Sequence, residues 1–191
     1  MKYPVCRFDI ESDMLCPNCQ DKIERGEITG FDVEFSKWLI AREKEYPALA
    51  DVQLKRAIRL QNRLILILKK RQKDVFLSAE NLIEEIIDKF GELMIFEGAP
   101  KLRNLVRMLI APAVEVGVNS LYLPDGFKES IVMLHSEDRE KITYSKEELR
   151  EIVSAVIGET VIFQYQDERE KEKEAPPDQF DEKMTELSEK S

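Results

Sequence analysis

The sequence predicts an α+β fold in which one unit, helix–strand–strand–helix–strand, occurs twice in tandem. Three observations predict it. Apolar residues recur three and four positions apart in the helical segments, as on one face of a helix. The segments between them alternate and are rich in β-branched residues, which favours strands. In each unit a helix ends at a glycine, Gly91 or Gly158, and a last strand follows.

Three cysteines, Cys6, Cys16 and Cys19, lie near the start of the chain, and an odd number does not suit a disulfide framework. Cys16 and Cys19 have the spacing of a knuckle, in which two thiolates bind one tetrahedral ion. Cys6 adds a third ligand and Asp9 repeats the same spacing, which predicts a structural zinc site. Asp13 and His135 are alternative fourth ligands. Three reduced cysteines without an ion are the alternative to a metal, and nothing in the sequence supplies the base and pocket of a catalytic zinc.

The first unit follows a short helix that ends at Gly26. Thr29 is a candidate cap for its first helix, and Asp32 lies at the positive end of that helix dipole. Trp38 lies on the apolar face of this helix, so we expect it in the core rather than as a base-stacking platform. The predicted elements are helix 31–48, strands 52–60 and 62–70, helix 79–91 and strand 92–98.

The two strands of the first unit carry a basic segment. Residues 51–74 contain eight basic and two acidic side chains, a net charge of +6 in a chain of −9. Such a cluster can neutralise phosphates and predicts salt-dependent binding of nucleic acid. A solvated strand edge, where lysine discourages aggregation, is the alternative. The predicted RNA contacts are Arg56, Arg59, Arg63, Lys69, Lys70, Arg71 and Lys73.

The second unit begins with a helix over 102–110 that ends before Pro112, because proline lacks a donor and restricts the preceding residue. Two strands follow, joined by a turn at Pro124-Asp125-Gly126. A helix that ends at Gly158 and a last strand complete the unit. The predicted bounds are strands 114–123 and 130–134, helix 146–158 and strand 160–165.

From Asp167 onward the chain has ten acidic and five basic residues and few apolar ones, which predicts a disordered tail. Phe180, Met184 and Leu187 have the spacing of a short helix that could form on a partner, and a purely solubilising tail is the alternative. The predicted organisation is a cysteine-containing segment 1–28, units 29–98 and 99–166, and a tail 167–191.

This order of elements resembles the tandem type II KH domains of archaeal NusA-like proteins. The resemblance lies in Leu109-Ile110-Ala111-Pro112-Ala113 before a strand, in the helix–Gly158–strand order, and in the cysteine motif ahead of the first unit. The resemblance covers roughly residues 3–166. It implies three-stranded sheets with helices on one face, and RNA polymerase, the ribosome or RNA as partners.

One departure from that family concerns the glycine loop, GxxG, with which a KH domain approaches about four nucleotides. The corresponding positions are Leu77-Ser78-Ala79-Glu80 and Tyr144-Ser145-Lys146-Glu147. Neither contains glycine and each ends in a carboxylate, which repels phosphate. We therefore expect a KH fold without the usual grip on RNA.

Composition narrows the function further. The net charge of −9 argues against indiscriminate nucleic-acid binding. No apolar run approaches the roughly 18 residues of a membrane span, and an apolar signal region is missing from the N-terminus, so we expect a soluble cytoplasmic protein. One histidine, no Ser/His/Asp set and no phosphate-binding glycine loop argue against an enzyme, and no small-molecule substrate is evident.

The leading functional hypothesis is a non-catalytic transcription-associated factor that binds RNA polymerase, nascent RNA or both through degenerate KH domains. The alternative is a protein–protein interaction module on RNA polymerase or the ribosome that has lost RNA binding. A third hypothesis is a scaffold in which zinc only fixes the N-terminal segment. Salt dependence separates the first two, because phosphate contacts weaken steeply with salt.

Overall fold

The computed structural model describes residues 1–12, 14–122, 126 and 128–168. The chain divides into two compact units. The first contains Met1–Asn104 and Glu151–Gly158, and the second contains the described residues of Leu105–Arg150 and Glu159–Ser191. Each unit has a three-stranded sheet with helices, which confirms the predicted α+β class.

Two short helices, α1 (Arg7–Ser12) and α2 (Pro17–Glu24), form the N-terminal segment. The backbone of Lys2 runs beside the start of the first sheet, where its N–H donates to Val52 and its carbonyl accepts from Leu54. A small core of Val5, Ile10, Cys19 and Ile28 packs against Val33 and Ile40 of the next helix. The segment is therefore attached to the first unit by both backbone pairing and apolar burial.

Helix α3 spans Gly30–Ile40 and is shorter than the predicted 31–48. After Ile40 the N–H groups reach three residues back instead of four, from Arg42 to Leu39 and from Glu43 to Ile40. Glu43 there contacts the N-terminal amine and Arg7. A 3-10 turn at Pro47–Leu49 follows.

The first sheet has the order β1-β2-β3, with strands at Leu54–Leu60, Arg63–Leu68 and Glu92–Glu97. Strand β1 pairs antiparallel with β2, and β2 pairs parallel with β3. Central strand β2 is buried on both faces, as its nearly continuous apolar sequence requires. Helices α4 (Lys73–Leu77) and α5 (Glu80–Phe90) connect β2 to β3.

The core of the first unit lies between one face of the sheet and helices α3 and α5. Phe35 is fully buried and stacks between the half-buried rings of Phe31 and Trp38, while Phe90 of α5 meets all three edge-on. The guanidinium of Arg42 lies 4.1 Å from the centroid of Trp38. Trp38 thus packs at the margin of the core, as expected, and a cation covers it.

The second unit repeats the strand pattern. Its sheet has the order β4-β5-β6, antiparallel and then parallel. Helix α6 precedes β4, and a 3-10 turn at Ser136–Asp138 lies between β5 and α7. In the division of the chain given above, residues 102–104 of α6 and 151–157 of α7 are counted with the first unit. The bounds are α6 Leu102–Ile110, β4 Glu115–Tyr122, β5 Lys128–Leu134, α7 Lys146–Ile157 and β6 Thr160–Tyr165.

Two predicted segments include residues outside the described ranges. The turn at Pro124-Asp125-Gly126 is one, since only Gly126 of it is described. The acidic tail is the other, except that Asp167 accepts a hydrogen bond from Ser136 and Glu168 forms an ion pair with Lys146. Across the described part of the chain, none of the helices has both the length and the apolar character to cross a membrane.

Candidate metal centre and basic surface

The four predicted ligands come together at the N-terminal ends of helices α1 and α2. Cys6 precedes α1 and Cys16 precedes α2, and their carbonyls accept the first helical hydrogen bonds, from Ile10 and Gln20 at 3.1 and 3.0 Å. Asp9 and Cys19 lie three residues further on, one turn into each helix. The equal spacing therefore places both pairs on equivalent turns. We call Cys6, Asp9, Cys16 and Cys19 the Cys/Asp cluster.

The ligand atoms of the Cys/Asp cluster all lie within 4.8 Å of one another. The Sγ atoms of Cys6 and Cys16 are 3.9 Å apart, and the N–H of Cys6 donates to Sγ of Cys19 at 3.4 Å. Tetrahedral zinc with bonds of about 2.3 Å holds two sulfurs about 3.8 Å apart. The cluster thus has the donor types and nearly the dimensions of a tetrahedral metal site.

The carboxylate of Asp9 is the most buried charged group of the Cys/Asp cluster. Asp9 is 1% exposed, and neither oxygen has a hydrogen-bond partner of normal geometry in the described chain. The neighbouring Cys19 and Cys16 groups lower the pKa of Asp9 against the opposing effect of burial. Burial of a carboxylate is costly unless the group is paired, and a cation coordinated by Asp9 would supply that pairing.

Cys19 is fully buried, and burial together with Asp9 raises the pKa of its thiol. It also belongs to the small apolar core of the N-terminal segment. The group that comes together within the described residues consists of these three cysteines and Asp9. Of the alternative fourth ligands, His135 is exposed and is not part of this group, and Asp13 lies outside the described residues.

The predicted RNA contacts differ in whether their side chains already contact another residue of the chain. Arg56 faces the buried carboxylate of Asp32 at 3.7 Å, Arg63 pairs with Glu92 at 2.6 Å, and Arg59 lies over the ring of Phe90. In contrast, Lys69, Lys70 and Arg71 are exposed, and their side chains form no ion pair with any residue that the structure describes. We call these three residues the basic turn.

The basic turn is anchored by the residues that follow it. The Gln72 side chain accepts from the N–H of Gln53 and donates to the carbonyl of Asp51, both at 2.8 Å. Glu97 accepts the N–H groups of Gln72 and Lys73 at 2.6 and 2.8 Å, at the start of α4. The three cations are thus presented on a fixed backbone. Sequence reasoning missed Glu97, since its partners are 24 and 25 positions away.

Both positions of the missing glycine loops are closed. In the first unit only Ser78 and Ala79 separate α4 from α5, and their N–H groups donate to Asp74 and Phe76. In the second unit the N–H of Ser145 donates to Glu148, whose own N–H donates back to Oγ of Ser145. These backbone donors are already used, so neither position offers them to a phosphate.

Neither a protein-family model nor a curated protein matches this sequence. Among solved structures, the chain is similar to the one titled "Crystal structure of APE1850". The two are 17% identical, the match covers 65% of this chain and 96% of the other, and the TM-score is 0.47. A likeness at this level assigns neither a family nor a function.

Proposed function

We propose that this chain is a non-catalytic, transcription-associated factor resembling archaeal NusA, which binds RNA polymerase, nascent RNA or both. The observation that carries the proposal is the repeated unit. In each unit a helix precedes two antiparallel strands, and a later helix leads to a third strand that is parallel to the second. That order is the one by which the sequence resembles two type II KH domains.

The basic turn is where RNA would bind. With Arg56 and Arg63 engaged by carboxylates, the exposed cations Lys69, Lys70 and Arg71 remain to meet phosphate. They would contact the backbone of RNA and so position the protein without reading sequence. Binding of this kind is weak and salt-dependent, which suits a factor that is also held by a protein partner.

The closed loop positions support the second candidate, a protein-interaction module on RNA polymerase or the ribosome that has lost RNA binding. Ser78, Ala79 and Ser145 use their N–H groups within the chain. The net charge of −9 also disfavours a nucleic-acid surface spread over the whole protein. Under this candidate the basic turn is a solvated loop.

Affinity purification from native lysate, with and without ribonuclease, separates the two candidates. RNA polymerase or ribosomal subunits that survive ribonuclease would favour the protein-interaction module, and partners lost with the RNA would favour RNA binding.

If RNA binds, the triple variant Lys69→Glu, Lys70→Glu, Arg71→Glu should abolish that binding in a filter assay. The control is Lys44→Glu, Lys101→Glu, Arg150→Glu, which makes the same change in net charge at exposed positions elsewhere. Equal affinity of the two triple variants would contradict the assignment of the basic turn.

We also propose that the Cys/Asp cluster holds a structural zinc ion. Asp9→Ala should weaken zinc binding by more than about tenfold, because even residues that merely support a ligand contribute that much. Glu11→Ala, which removes an exposed carboxylate from the same helix, is the matched control. Competition with a chromogenic chelator measures both affinities. An unchanged affinity for Asp9→Ala would remove Asp9 from the ligand set.

A further inference from the structure

The four residues of the Cys/Asp cluster differ sharply in their access to solvent. Cys6 is exposed and Cys16 is half-buried, whereas Asp9 and Cys19 are 1% and 0% exposed. A small oxidant that diffuses to the cluster therefore meets two of the three sulfurs. The two accessible sulfurs belong to Cys6 and Cys16, the first residues of the two ligand pairs. Each of these residues immediately precedes its own helix.

The two accessible sulfurs are also close to each other. Their separation of 3.9 Å exceeds a disulfide bond of about 2.05 Å by less than about 2 Å. Short loops carry both residues, since Cys6 precedes a helix of 6 residues and Cys16 follows it by a few positions. A modest local shift would bring them into bonding distance, whereas Cys19 is a fully buried member of the apolar core against which the half-buried Cys16 packs.

We propose that Cys6 and Cys16 form an oxidant-sensitive pair, which a peroxide converts into a disulfide with release of the ion that the cluster holds. The release of the ion depends on the proposed zinc site, but the formation of the disulfide does not. After oxidation only Asp9 and Cys19 remain as ligands. Two protein ligands do not complete a tetrahedral zinc site, so the ion leaves.

The chemistry balances with hydrogen peroxide as the oxidant. One thiolate sulfur attacks a peroxide oxygen, the O–O bond breaks, and a sulfenic acid and hydroxide form. The second thiolate attacks the sulfenic sulfur, the S–S bond forms, and a second hydroxide leaves. Two thiolates lose two electrons in total, and peroxide gains two. A small-molecule dithiol reverses the disulfide and restores the four ligands.

The test uses the full chain loaded with zinc and treated with hydrogen peroxide. A chromogenic chelator measures released zinc, and alkylation under denaturing conditions followed by peptide mass mapping identifies the thiols that remain. We expect one equivalent of zinc released per chain, alkylation at Cys19 alone, and a Cys6–Cys16 cross-link that dithiothreitol removes. A disulfide that includes Cys19, or overoxidation of Cys6 without any disulfide, would overturn the proposal.

A variant of Cys19 makes the test of disulfide formation independent of the metal. Cys19→Ser removes a buried ligand but leaves both accessible sulfurs, so it should still form the Cys6–Cys16 disulfide. If the wild-type chain binds no zinc and yet oxidises at these two residues, the zinc proposal fails and the thiol pair stands. If zinc binds in one equivalent and peroxide leaves all three cysteines reduced, the thiol pair fails and the zinc site stands.

Discussion

The two units share a strand order but join their first helix to their first strand in different ways. In the first unit the carboxylate of Asp32 on α3 is fully buried, and it accepts the N–H of Ala57 in β1 at 2.6 Å and that of Thr29 at 2.7 Å. In the second unit Arg107 on α6 forms a bidentate ion pair with Glu115 at the start of β4. Arg107 is half-exposed, so water reaches that link.

The difference shows that one topology tolerates two kinds of polar link with unequal consequences. The link in the first unit is inside the core, where a lost partner leaves donors without water. The link in the second unit is half-exposed, because water can reach the guanidinium of Arg107 although the carboxylate of Glu115 is buried. The first unit is also the one that contains the aromatic cluster, the Cys/Asp cluster and the basic turn. Its interior is therefore the more sensitive to single changes.

The largest expected effect comes from removal of the proposed zinc ion, which should weaken the first unit and leave the second intact. An ion at a thousandfold excess over its dissociation constant contributes about 4 kcal/mol to stability. Hydrogen exchange with and without a chelator measures this residue by residue. We expect faster exchange at Ile10 and Gln20, which lie in the N-terminal segment, and no change at Val132 in β5. Equal acceleration in both units would contradict the comparison.

Asp32→Ala should be the most damaging substitution in this comparison. It leaves the N–H of Ala57 without a partner and removes the carboxylate that faces the buried Nε of Arg56 at 3.7 Å, which costs about 3 kcal/mol. Chemical denaturation measures the loss, and Glu34→Ala, an exposed acid on the same helix, is the control. A loss no greater than that of the control would mean that water takes the place of the carboxylate.

Glu115→Ala should cost less than Asp32→Ala, roughly 1–2 kcal/mol, because the half-exposed guanidinium of Arg107 can turn to water. The same denaturation experiment compares the two variants directly. If Glu115→Ala proved as costly as Asp32→Ala, the half-exposed link to Arg107 would contribute as much to stability as the buried link of Asp32. The contrast between the units would then disappear.

The smallest effect is a pH dependence at Glu97. The N–H groups of Lys73 and Gln72 lower the pKa of Glu97, so its contribution to stability is present above the ordinary pKa of glutamate and is lost as the pH falls through the folded value. Glu97→Gln should thus be less stable than the wild type at neutral pH, and the gap should close in acid. A gap that stayed constant with pH would show that the charge of Glu97 is unimportant.

Much of the fold could be predicted because its signals are local. Helix α6 and strand β6 have the predicted bounds, Leu102–Ile110 and Thr160–Tyr165, since a proline follows one and a glycine precedes the other. The short helices α1 and α4 were not predicted, because five or six residues show no clear period. Helix α3 was predicted too long, because the N–H groups of Arg42 and Glu43 reach only three residues back and the sequence before Pro47 does not signal this change.

The same distinction applies to the candidate sites. The Cys/Asp cluster was predictable because each pair of ligands is three residues apart and lies on one helical turn. The basic segment was predictable as a charge, but the partners of Arg56 and Arg63 were not. Asp32 and Glu92 lie 24 and 29 positions away from them, and only the packing of α3 on β1 and the pairing of β2 with β3 bring them together. The sequence shows how many charges the segment carries, whereas the fold determines which of them are already paired within the chain.

Arg71, in the basic turn, has a φ of 63°, in the left-handed region that favours glycine. A residue with a side chain pays about 1 kcal/mol for this conformation. A redesign guided only by stability would place glycine at this position and would raise the melting temperature. The same change would remove one of the three exposed cations, so a variant selected for thermal stability alone would lose charge at the proposed RNA contact.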